Sequence, residues 1–89
     1  MELLTKTGLY TPYENDATAS YLEVYRLPQD TLDLIEKECL PTDAIMEMLG
    51  FSNARGFVEP GAWYTEYHFV ALNQITGILV IEVQKSLNV

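Results

Sequence analysis

Two runs near the carboxyl end constrain the fold most. "WYTEYHFVAL", Trp63 to Leu72, and "ILVIEVQK", Ile78 to Lys85, are rich in β-branched and aromatic residues. A short turn-forming stretch joins them, so their spacing predicts a β-hairpin. Trp63, Thr65, Tyr67, Phe69 and Ala71 share one face of the first strand, and Leu79, Ile81 and Val83 share one face of the second. Keeping both sets on one side calls for an odd loop length. "ITG" gives a three-residue loop that sets His68 against Gln84; "NQITG" gives a five-residue loop that sets it against Glu82.

The other face of this hairpin carries Tyr64, Glu66, His68, Val70 and Leu72, then Ile78, Val80 and Glu82. Its aliphatic end is too apolar for a solvated sheet face, so a cover is expected. With two short helices available, a partner chain is expected over part of it, through Val70, Leu72, Ile78 and Val80. The alternative cover is the amino-terminal strand.

Upstream, "YLEVYRL" alternates as a strand, with Leu22 and Val24 on one face and Tyr21, Glu23 and Tyr25 on the other. "ELLTKTGLY" reads as a weaker edge strand, and Thr11 to Ser20 as a polar loop. Pro28 introduces "QDTLDLIEKECL", a helix with Leu32, Ile35 and Cys39 along its apolar stripe. Pro41 precedes a short helix, "TDAIMEML", with Thr42 or Asp43 as N-cap and Ile45, Met48 and Leu49 inward. Gly50 suits a left-handed helix end, and Phe51 can fold back onto Met46. Residues 52–62 read as a loop. The expected fold is a single α+β domain over 1–89: a small antiparallel β-sheet of three to four strands with two short helices on one face.

"MLGFSNARGF", Met48 to Phe57, resembles the helix–Gly–Phe–Ser turn of AraC-type regulators. The resemblance covers about a dozen residues and implies a following helix that enters the major groove of DNA. Gly56, Pro60 and Gly61 interrupt such a helix within two turns, and Arg55 is the only base between Lys37 and Lys85. The stretch therefore reads as a capped helix end.

Charge points the same way. Thirteen acidic residues against five basic ones give a net charge of −8, a field that repels nucleic acid and attracts basic proteins. No run is long enough to span a membrane, and Met1 to Gly8 lacks a signal-peptide pattern. A single cysteine precludes an internal disulfide. A soluble cytoplasmic protein is expected.

Reactive residues are sparse. His68 is the only histidine; beside Glu66 it reads as a cross-strand contact rather than an acid–base pair. One histidine and one cysteine do not suggest a zinc site. Glu14 and Asp16 lack calcium-loop spacing, and "GFVEPGAW" lacks the features of a phosphate loop. Cys39 is expected in the core. No enzyme activity, cofactor or metal is expected.

The amino-terminal third mixes tyrosines with acids. This suggests a non-enzymatic interaction module that docks on a basic protein partner, in its sharpest form an inhibitor of a nucleic-acid-binding surface. Glu14, Asp16, Glu23, Asp30, Asp33 and Glu36 would supply the charge, with Tyr13, Tyr21 and Tyr25 as aromatic anchors. The alternative is a self-associating structural or regulatory subunit, a homo-oligomer using the hairpin's outer face. A weaker third reading is an enzyme with His68 and Glu66 in an interface pocket.

Overall fold

In the computed structural model, the described residues are 1–8, 18–53 and 57–88. The strands are β1 (Glu2–Gly8), β2 (Thr18–Arg26), β3 (Trp63–Leu72) and β4 (Ile78–Leu87); the helices are α1 (Gln29–Glu38) and α2 (Thr42–Met48). The sheet order is β1-β2-β4-β3, and all neighbours run antiparallel. This is the expected α+β fold, with four strands and both helices on one face. β4 lies inside the sheet, and its alternation is sharp: Leu79, Ile81 and Val83 are at most 1% exposed, while Ile78, Val80 and Glu82 are half-buried. The first set meets Leu32 and Ile35 of α1 and Ile45 and Met46 of α2 in one core.

The hairpin combines a loop with a bulge. Five residues, 73–77, separate the strands, and His68 faces Glu82. Between Phe69 and Ala71 the register shifts by one, so Ala71 faces Val80 and Leu72 faces Leu79. An extra residue reverses the side-chain alternation beyond it. Ala71 thus moves to the outer face. Leu72, expected on the outer face as a self-association residue, instead packs against the core. The loop is closed by Asn73, whose Oδ1 accepts from the N–H groups of Ile75 (2.9 Å) and Thr76 (3.0 Å). Gly77 ends it at φ +78°, and its carbonyl accepts from Leu27 N–H at 2.9 Å.

Both helices end in the same way. Gly50 takes φ +89°; its N–H donates to Glu47 O, and Phe51 N–H donates to Met46 O at 2.8 Å. These two bonds make a Schellman motif. In α1 the equivalent bonds run from Cys39 N–H to Glu36 O and from Leu40 N–H to Ile35 O, with Cys39 at φ +50°. Cys39 is therefore exposed, not in the core, because the chain turns left-handed there and sends Leu40 inward instead. Pro28 and Pro41 occupy the N-cap positions without a side-chain cap, so neither Thr42 nor Asp43 caps α2. The buried residues of α2 are Ile45 and Met46, with Leu49 half-buried. Met48 lies well round the helix from their mean direction and is exposed.

Candidate functional site

β2 places Tyr21, Glu23 and Tyr25 opposite Val83, Ile81 and Leu79, on the helix side of the sheet. Glu23 is only 7% exposed and pairs with Lys6 of β1 at 3.5 Å. It is a buried acid on the core side and not a carboxylate displayed on the surface. Tyr21 and Tyr25 are half-buried and pack against the core, which removes them from a projecting aromatic patch. The Tyr25 and Tyr67 rings flank Phe51, with centroids 5.4 and 5.2 Å from it. Leu22 and Val24, the aliphatic pair, lie on the uncovered face. The alternation was legible in the sequence; which side the helices cover was not.

Burial, and then the hydrogen bond and negative charge of Glu23, push the Tyr25 hydroxyl from 10.0 to about 12. The folded chain thus holds this proton at pH values where the unfolded chain has lost it. Stability from this source is complete below about pH 10 and falls as pH rises towards 12. Spectrophotometric titration should show one tyrosine ionising late, and Tyr25→Phe should remove that late step.

The outward surface of the helices is acidic. Asp30, Asp33 and Glu36 of α1 are exposed, as are Glu38, Asp43 and Glu47. Asp33 accepts from Gln29 Nε2 at 2.9 Å, and Asp30 from Thr31 N–H at 2.8 Å. Lys37 is the one base within the two helices. Among the described residues none of these six acids forms an ion pair. Glu38, Asp43 and Glu47 were not among the contact residues expected from sequence; helical phase turns Glu47 away from the core, while Glu38 and Asp43 lie on the helix flanks. Tyr13, Glu14 and Asp16 lie outside the described residues.

Between α2 and β3 runs a groove of about 320 Å³, walled by Asp43 and Glu47 and floored by Phe51, Tyr67 and Phe69. Asn53 stands at its side with both ends of its amide engaged. Nδ2 donates to Tyr67 O, and Oδ1 accepts from Tyr67 N–H, each at 2.7 Å. Nearby, His68 Nε2 lies 3.3 Å from Glu66 Oε2, both partly solvated, and His68 faces Glu82 across the ladder. Among the described residues no three His, Cys, Asp or Glu side chains converge as a metal site.

On the opposite side of the sheet Ile78 and Val80 join Leu22 and Val24, and Val70, 51% exposed, projects beside them at the bulge. β1 pairs along the edge of β2, in the plane of the sheet rather than over this face. The segment after Gly50 carries no helix among its described residues, and Phe51 is buried, so the DNA-reading helix implied by the AraC-type turn is absent there. No described helix is long and apolar enough to cross a membrane. Comparison with protein-family models, curated proteins and solved structures gives no match.

Proposed function

We propose that this chain is a non-enzymatic protein-interaction module whose acidic helical layer docks on a basic partner protein. The observation that carries this reading is the segregation of charge. Asp30, Asp33, Glu36, Glu38, Asp43 and Glu47 stand exposed on two adjacent helices that hold one lysine. Such a layer steers a basic surface towards it and repels nucleic acid. In its sharpest form the module inhibits a nucleic-acid-binding protein, its carboxylates lying where phosphates would lie.

The test uses immobilised nucleic-acid-binding domains, with DNA as competitor. The expected result is binding that weakens with salt, is displaced by DNA, and falls at least about tenfold when Asp33→Lys and Glu36→Lys are combined. Unchanged binding by that double variant would place the contact elsewhere. Failure to bind any basic domain at low salt would end the reading.

A further inference from the structure

We infer that the uncovered face of the sheet is the interface of a symmetric homodimer, formed by two copies packed sheet to sheet. The register stacks this face in rows: Arg26 beside Ile78, then Val24 beside Val80, then Leu22 beside Glu82. The bulge adds Val70 and Ala71. The centre is aliphatic and the ends are charged. Leu22, Val24, Ile78 and Val80 are half-buried by their neighbours within the sheet alone, since both helices lie on the other side.

Three arguments favour a second copy as the occupant. The first is area. The sheet has four strands, and β2 has nine residues. At about 4.8 Å between strands and about 3.3 Å per residue, the face presents roughly 550 Å² per copy, or about 1,100 Å² in a pair. That just clears the ~1,000 Å² expected of a specific interface.

The second is charge. Two copies cannot approach through their helical layers, where six acids would oppose six acids. The uncovered face is the remaining broad surface with an apolar centre.

The third is self-complementarity. A two-fold axis crossing the strands at the Val24–Val80 row keeps the aliphatic centre on itself. It also lays the Arg26 row of one copy over the Leu22–Glu82 row of the other. Arg26, whose guanidinium meets Glu2 of its own chain at 3.5 Å, then also comes beside the second copy's Glu82 at each end. Aligned sheets twisted by about 30° pack in this way.

The deciding measurement is molar mass by light scattering on the full chain. At roughly 100 µM, where a dimer of micromolar affinity is populated, the expected mass is twice the 10.1 kDa of the chain. It should persist in about 1 M salt, where charge contacts are screened within ~3 Å. Val80→Asp should give a monomer with an unchanged circular-dichroism spectrum. If that variant fails to fold, Val24→Thr supplies the test, with dimer affinity expected to fall about tenfold or more. A monomeric parent chain overturns the inference. So does a dimer that dissociates in salt, one that survives in the folded Val80→Asp variant, or one whose affinity Val24→Thr leaves unchanged.

Discussion

Ile81→Ala is expected to destabilise the chain by about 3–4 kcal/mol, within the range for a buried Ile cut to Ala. Ile81 is 0% exposed and lies on an interior strand between Glu23 and Phe69, beneath both helices. Little around it can collapse into the space left. The loss is a large share of the ~5–15 kcal/mol that holds a typical domain folded. At about 4–8 °C per kcal/mol for a chain this size, the Tm should fall by roughly 12–30 °C. Urea unfolding gives the direct check. The neighbouring Val80→Ala is the internal control: its side chain is half-buried on the uncovered face. Measured at dilutions where the chain is monomeric, it should cost less than about 1 kcal/mol. Equal losses at the two positions would contradict the assignment of faces.

The second large effect is expected at Gly77. Its φ of +78° is a conformation that costs an L-residue about 1–2 kcal/mol. There is also no room. A Cβ here would lie 3.0 Å from the Leu27 carbonyl oxygen and 3.2 Å from Leu32 Cδ1. The Leu27 atom is backbone and is tied to this turn, because Leu27 N–H donates to Gly77 O. Gly77→Ala should therefore cost about 2–4 kcal/mol, strain and displacement together. Gly50 is the comparison. It has φ +89° but nothing within 4 Å of a built Cβ, so Gly50→Ala meets the conformational cost alone. Urea unfolding of both variants separates the two terms, and a Gly77→Ala loss no larger than that of Gly50→Ala would remove crowding from the account.

Hydrophobic periodicity made the strands and helices legible, because β-branched alternation and proline punctuation act locally. What escaped was set by single residues whose effect is tertiary. Nothing in "HFVALN" announces a bulge, yet that one extra residue sends Leu72 inward and Ala71 outward. Cys39 had the spacing of a core residue. It is exposed because α1 ends one residue earlier and turns left-handed, a conformation that usually selects glycine. Glu23 illustrates a third limit. Alternation correctly grouped it with Tyr21 and Tyr25, but did not say which of the two faces the helices would cover. The helices chose the tyrosine side, where Phe51 fits between Tyr25 and Tyr67 and Lys6 from the edge strand neutralises the carboxylate. The acidic character of the helical layer was visible as composition, and its segregation became apparent once α1 and α2 were both placed on the same side of the sheet.

The amide of Asn53 has a consequence for how the sheet can grow. An outermost strand offers its N–H and C=O groups as a template on which further strands add without limit, the usual start of fibres. On β3 that template is occupied in mid-length, because Asn53 holds both groups of Tyr67, and three residues on the bulge at Val70 breaks the spacing. The opposite border, β1, has its own irregularity between Leu3 and Thr5, followed by Lys6. Each border is thus interrupted within a few residues. These interruptions disfavour open-ended edge-to-edge growth in a chain rich in β-forming residues.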